Sequence, residues 1–168
     1  MEILPLKQED VPSVKAFLFK VIEEDFGYQF NPAWHSDIAN LERVYLQDPR
    51  SYFLVGWNGD GSIAGTIAIR KYPNSFPEVN HLYDDRTTSM VVRHFVSRSQ
   101  RNKGVGSQLL KDVEAYARES GVNTLYLHTQ ITIPGSLEYW LAKGYKVTLD
   151  TKNQLGTVHL EKHLPRVE

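Results

Sequence analysis

The stretch from Val91 to Leu110 reads VVRHFVSRSQRNKGVGSQLL and divides into three pieces. Its first part, Val91 to Val96, is mostly apolar and β-branched and predicts the end of a strand that begins near Thr87. Ser97 to Lys103 is polar and basic. From Gly104 the apolar positions Leu109, Leu110, Val113, Tyr116 and Ala117 fall on one face at helical spacing, and Gly121 supplies a C-cap, which predicts a helix over 104–120. The first backbone N–H groups of a helix have no intrahelical partners and lie at the positive end of its dipole. Gly104 and Gly106 let the main chain approach an anion with no Cβ in the way, and Arg101 and Lys103 add charge. Strand, loop and helix together read as a phosphate cradle. A Walker loop does not fit, because Lys103 precedes the glycines. The dinucleotide fingerprint does not fit either, because its third glycine would stand where Leu109 is. The pattern present is Arg-x-x-Gly-x-Gly.

Toward the N-terminus, Ile3–Lys7 alternates as a first strand. Asp10 followed by Val11-Pro12 predicts a capped helix carrying Val14, Phe17, Leu18, Val21 and Ile22, which ends before Gly27. A second helix is expected over Trp34–Leu46. Tyr52–Trp57 and Ile63–Ile69 flank Asn58-Gly59-Asp60-Gly61, a hairpin signal. Lys71–Asp85 is a long polar loop with Pro73 and Pro77, a length that suggests a lid. Toward the C-terminus follow a strand over Thr124–Thr129, a short helix over Pro134–Lys143 closed by Gly144, and antiparallel strands over Tyr145–Leu149 and Thr157–Leu160. This order predicts an α/β fold, a mixed twisted sheet with helices on both faces.

The 168 residues suit one domain, 1–168. Nineteen Lys and Arg against twenty Asp and Glu leave no global field to attract nucleic acid or an anionic membrane. The absence of cysteine excludes disulfides, thiolate-held zinc and a thiol nucleophile. None of the six histidines pairs with a carboxylate at ligand spacing, so no metal is expected. Ser136 lacks the Gly-x-Ser-x-Gly elbow of a hydrolase. The N-terminus does not read as a signal peptide and no apolar run has membrane-spanning length, so the expected location is cytoplasmic.

The loop motif Arg101-Asn102-Lys103-Gly104-Val105-Gly106, the strand residues Arg93–Val96 before it and Ser107–Leu110 after it resemble the signature segment of the GNAT superfamily of acyl-CoA N-acyltransferases. Leu125–Thr129, and Glu138 to Tyr145 with its Gly144-Tyr145 pair, are similar to the same family's fifth strand and last helix. The resemblance implies a mostly antiparallel, splayed sheet and acetyl-CoA as acyl donor. The main chain of Phe95 and Val96 would bond the pantetheine arm. The amides of Arg101, Asn102, Lys103, Gly104, Val105 and Gly106, with Ser107, would hold the pyrophosphate. The acceptor amine would attack the thioester directly, without a covalent enzyme intermediate. A homodimer paired through edge strands is compatible with such a fold.

The family's acid is a tyrosine four residues before the glycine, and that place is held here by Trp140. Tyr139 next to it is turned about 100° round the helix and serves as the acid only if the helix is rotated relative to the family pattern. His94 has the right pKa range for a base. Glu23, Glu24 and Asp25 end the first helix, where such enzymes place acceptor contacts. Phe26, Tyr28, Phe30 and Trp34 form an aromatic passage, and Glu78, His81, Asp84 and Asp85 make the long loop acidic. The expectation is a small polar or amino-acid-like amine acceptor. The alternatives are a CoA-binding sensor without transfer activity and a domain that binds some other nucleotide.

Overall fold

A computed structural model describes residues 1–166. Seven strands form one sheet in the order β1-β2-β3-β4-β5-β7-β6. They are β1 (Glu2–Pro5), β2 (Tyr52–Trp57), β3 (Ile63–Lys71), β4 (Thr88–Val96), β5 (Thr124–Gln130), β6 (Lys146–Asp150) and β7 (Thr157–His163). β4 and β5 run parallel, whereas the pairs β1–β2, β2–β3, β5–β7 and β6–β7 are antiparallel. The mixed α/β sheet expected from the sequence is present. The chain is organised as two compact units, Met1–Arg70 with Val92–Ala115 and Lys71–Val91 with Tyr116–Glu168.

In the first unit, helix α1 (Val11–Phe26) buries Val14, Leu18, Val21 and Ile22, the spacing read from the sequence. Asp10 does not cap it as expected. Its carboxylate accepts from the Lys7 N–H at 3.1 Å, and the helix grows out of a 3-10 turn over Gln8–Asp10. Gly27 ends α1 at φ 69°, a left-handed conformation that costs glycine little. The single helix expected over 34–46 is two pieces. Helix α2 (Pro32–Ala39) is capped by the Asn31 carboxamide, which accepts from Ala33 N–H at 2.9 Å, and a wide π-helical turn follows at Glu42–Leu46. The Asn40 side chain donates to the Ser36 carbonyl at 2.7 Å, the local competition by which asparagine interrupts helices.

α1 and α2 pack Val14, Leu18, Ile22 and Ile38 against Phe53, Val55 and Ala68 of the sheet, each such side chain contributing roughly 1.5–3 kcal/mol on burial. The other face of β3 receives helix α3 (Val105–Glu119) at Gly65. A Cβ there would stand 2.7 Å from the Phe95 carbonyl oxygen and 3.0 Å from Leu109, so a side chain is excluded by the close approach of β4 and α3.

In the second unit, Thr88–Met90 of β4 register with Thr124–Tyr126 of β5, and β7 continues the sheet to the edge strand β6. Strand alternation puts Leu125 and Leu127 on one face and Tyr126 and His128 on the other. The long loop is not a free lid. Tyr72 and Val79 are fully buried. Asn80 accepts from the Tyr72 hydroxyl at 2.5 Å and the Phe76 N–H at 3.1 Å, and donates to the Asn74 carbonyl at 3.0 Å. Its acids are paired as well: Asp84 with Arg86, Asp85 with Lys71, and Glu78 with His159. Helix α4 (Ser136–Ala142) buries Trp140.

Candidate active site

Near its C-terminal end β4 leaves regular strand geometry, with Arg93 at φ 53°. A non-glycine residue in this region costs on the order of 1–3 kcal/mol and persists only where its surroundings over-determine it. Here they do. The Arg93 carbonyl accepts from the Thr66 hydroxyl at 2.8 Å. The guanidinium donates through Nε and a terminal nitrogen to both oxygens of Asp37, at 2.9 and 2.6 Å, and to the Trp34 carbonyl at 2.7 Å. Tyr45 adds a hydroxyl bond to Asp37 at 2.6 Å. Burial alone would raise the Asp37 carboxyl, but the bonds and charge of Arg93 outweigh it and hold the group below its ordinary range. Burial, then the Asp37 charge, push the Tyr45 phenol well up. Asp37 was not singled out in the sequence; a carboxylate beside Ile38 on an otherwise apolar helix face was the available signal.

Beyond this bend the chain forms the expected turn and helix start. The Ser97 N–H donates to the Ala64 carbonyl at 2.9 Å, and Ser97–Gln100 close one tight turn. Asn102 at φ 61° and Gly104 at φ 83° then swing the backbone into α3. The Gln108 N–H donates to the Gly104 carbonyl at 3.0 Å, so the first helical amides are those of Val105, Gly106 and Ser107. The Ser97 hydroxyl oxygen is buried with no hydrogen-bond partner. Lys103 is exposed. The Arg101 guanidinium is instead committed to the Asp25 carboxylate and, at 3.2 Å, to the Val96 carbonyl. Arg98 meets the same carboxylate at 2.7 Å. Asp25 therefore braces the loop from the end of α1.

The sequence-predicted catalytic residues fall in different units. In the first, the half-buried His94 ring donates from Nδ1 to the Thr66 carbonyl at 3.2 Å, an assignment that makes Nε2 its basic nitrogen. In the second, Tyr139 is half-buried on α4, edge-on to Trp140 at 5.1 Å, with the Lys143 ammonium 5.5 Å from its ring centre. Trp140 packs on Tyr145 at 5.1 Å. The aromatic passage is partly realised. Phe19, Tyr28 and Phe30 line a cleft of about 630 Å³ beside α1, together with Lys15 and Glu23. Phe26 packs on Phe95 at 5.9 Å, and Trp34 is exposed, edge-on to Tyr28 at 5.7 Å. Among the described residues no group of three or more His, Cys, Asp or Glu could hold a metal, and no helix is long and apolar enough to cross a membrane.

A strand bent at a clamped arginine runs into a glycine turn and a helix N-terminus, and the chain belongs to the acetyltransferase (GNAT) family, whose model matches residues 16–145. The chain is 26% identical over 132 residues to N-acetyltransferase 8 of Mus musculus, covering 79% of this chain and 55% of that protein. It is 25% identical over 138 residues to aminoalkylphosphonate N-acetyltransferase of Salmonella typhimurium, covering 82% and 80%. The chain thus spans about half the length of the first of these relatives and most of the second. Its fold matches a GNAT-family acetyltransferase of Staphylococcus aureus Mu50 with a TM-score of 0.77 at 18% identity, over 98% of this chain and 99% of that one.

Proposed function

We propose that the chain is an acetyl-CoA-dependent N-acetyltransferase acting on the amine of a small polar or amino-acid-like acceptor. The observation that carries this reading is the bent strand, turn and helix start from Arg93 to Ser107, whose backbone is held in the required shape by side chains committed elsewhere. The cradle fits the donor. The amides of Val105, Gly106 and Ser107, with Arg101 to Gly104 before them, would hold the pyrophosphate. Phe95 and Val96 would offer main-chain bonds to the pantetheine arm, an added-strand contact. Acetyl-CoA supplies the activated thioester.

The protein's own contribution is alignment, polarisation and proton handling. Tyr139 is the residue we assign to donate a proton to the leaving thiolate, and His94, with Nε2 as its basic nitrogen, is the first base to test. The cleft lined by Phe19, Tyr28 and Phe30 offers aromatic faces to the cationic ammonium form of an amine, with Glu23 and Lys15 both in its lining. The Salmonella relative, named for a small aminoalkyl acceptor, supports that size class.

Thermal unfolding with acetyl-CoA, CoA, ATP and NAD tests the reading. A ligand at a hundred times its dissociation constant adds about 2.7 kcal/mol to a folded state that alone binds it. Stabilisation by acetyl-CoA and CoA only is expected, and equal shifts with ATP would refute the cradle assignment. Because Trp140 stands at the family's tyrosine position, a CoA-binding module without transfer is the second reading. Amine-dependent release of free thiol separates the two.

A further inference from the structure

The cleft of the first unit carries opposite charges at separate levels of α1. At about 100° per residue, Lys15, Phe19, Ile22, Glu23 and Phe26 fall within one stripe about 100° wide along the helix. The first four line the cleft together with Tyr28 and Phe30. Phe26 continues the stripe and places its ring 5.9 Å from that of Phe95. Among the described residues that line the cleft, only Lys15 and Glu23 are charged. Their positions on α1 put them about 12 Å apart along the helix axis.

Each level can bond a ligand. The Lys15 ammonium donates to the Ala39 carbonyl at 3.0 Å, which pins it toward the end of α2 and leaves two of its three N–H groups for a ligand. The Glu23 carboxylate can only accept, so its counterpart in a ligand is a donor such as an ammonium. Between the two, Phe19, Ile22 and Phe30 offer hydrocarbon and ring faces, with Phe19 and Phe30 edge-to-face at 5.6 Å. Methylenes suit such a middle, whereas a peptide group there would give up bonds to water. A ligand with a positive charge alone would meet Glu23 and the rings, but the Lys15 ammonium would repel it. A ligand with a cation at one end and an anion at the other satisfies both side chains. Charge-assisted bonds of about 2.8 Å at each end leave about 6 Å between the ligand's own charged groups. An α-amino acid, at about 3.5 Å or less, does not span that distance, and a chain of about four methylenes does.

We propose that the acceptor is a linear ω-amino acid of about five carbons, its carboxylate held by Lys15 and its amine at the Glu23 end. The proposal deepens the acetyltransferase reading and rests on it. Glu23 is one helical turn from Phe26, whose ring packs on Phe95, so the amine end is the one nearer along α1 to the strand proposed to hold the acyl donor. In the transfer the amine nitrogen bonds to the acetyl carbon as the thioester C–S bond breaks. One ammonium proton goes to the leaving thiolate and a second goes to solvent. The product is an uncharged amide at that end. It keeps the bond to Lys15, loses the ionic one to Glu23, and leaves the cleft more readily than the substrate does.

The test uses the full chain, acetyl-CoA and release of free thiol. Three acceptors share the amine and the chain length and differ in the charge of the tail: 5-aminopentanoate, 5-aminopentanol and 1,5-diaminopentane. kcat/KM should fall in that order, by about tenfold or more from the acid to the alcohol. Glycine, too short to reach both ends, should do no better than the alcohol. Lys15→Met keeps the stem without the charge and should bring the acid-to-alcohol ratio to about one. Lys15→Glu should turn the preference to the diamine. Each ratio is read within one preparation, so a partly unfolded variant still reports it. Glu23→Gln should lower kcat/KM for all three acceptors about tenfold and keep the acid-to-alcohol ratio. A parent enzyme that uses the alcohol or glycine as well as 5-aminopentanoate, one that releases no thiol with any of these acceptors, or a Lys15→Met chain that keeps the preference would overturn the proposal while acetyl-CoA binding stands. Failure of the parent protein to bind acetyl-CoA by calorimetry would overturn the acetyltransferase reading, and the proposal with it.

Discussion

Replacing the carboxylate at position 37 by a carboxamide is the most informative single change in the first unit. Asp37→Asn preserves shape but removes the charge that compensates the Arg93 guanidinium, whose side chain is 18% exposed against 8% for Asp37. Breaking one partner of a buried ion pair costs about 3–5 kcal/mol, because the other charge stays buried and uncompensated. With Arg93 partly reaching solvent and the new carboxamide still able to accept one bond, the lower end applies, about 3 kcal/mol, or about 6–12 °C in Tm for a chain of this size. The pH dependence has a definite sign. The Asp37 carboxyl is depressed in the folded chain, so its stabilisation is complete above the unfolded carboxylate pKa of about 3.9 and is lost as pH falls through the lower native value. Urea unfolding of parent and variant from pH 7 to pH 2 should show a constant gap that narrows only below about pH 4. The same variant should raise KM for acetyl-CoA, because the ion pair holds Arg93 at φ 53° just before Phe95 and Val96. A Tm shift under about 2 °C, or a gap that does not narrow in acid, would refute the argument that this pair carries the bend.

Four further outcomes follow from the geometry. Gly65→Ala places a methyl 2.7 Å from the Phe95 carbonyl and should cost about 1–3 kcal/mol in urea unfolding, with weaker acetyl-CoA binding by calorimetry. Gly104→Ala meets no neighbouring atom within 4 Å but must adopt φ 83°, so it should cost about 1–2 kcal/mol and reduce CoA affinity, whereas Gly59→Ala in the hairpin turn should leave affinity unchanged. Tyr139→Phe should lower kcat at least tenfold with little change in KM for acetyl-CoA if Tyr139 is the acid; unchanged turnover removes it from the mechanism. Tyr45→Phe deletes one of the bonds to the Asp37 carboxylate and should cost about 1.5–3 kcal/mol, measured by thermal unfolding.

What the sequence exposed depended on how local each signal was. The strand, turn and helix start from Val91 to Leu110 were legible because their parts, an apolar run, two glycines and an amphipathic helix, lie within twenty residues and each has its own physical signature. Gly27 and Gly121 marked helix ends for the same reason, and both have positive φ. The break between α2 and the following turn was not legible, because helical periodicity continues through it while Asn40 bonds back to Ser36. The Arg93–Asp37 pair joins residues 56 apart in sequence, and no local pattern announces such a contact. The long loop looked like a lid because its prolines and acids are visible in the sequence. Its anchors, Asn80 and the buried Tyr72, show their role only once the chain has folded back on itself.

The single carboxylate of Asp25 has a consequence for how the two proposed substrate sites would communicate. It takes both Arg98 and Arg101 of the loop before α3, while Glu23, two residues earlier on α1, lines the aromatic cleft. On the proposed reading, the last turn of one helix is common to the seat of one ligand and the cleft of the other. An acceptor that reorients this turn changes the free energy of the loop, and by linkage acetyl-CoA must change acceptor affinity by the same factor. Measured affinities for one substrate with and without the other would give that factor directly, and the Asp25→Ala chain, in which the brace is cut, should bring it to one.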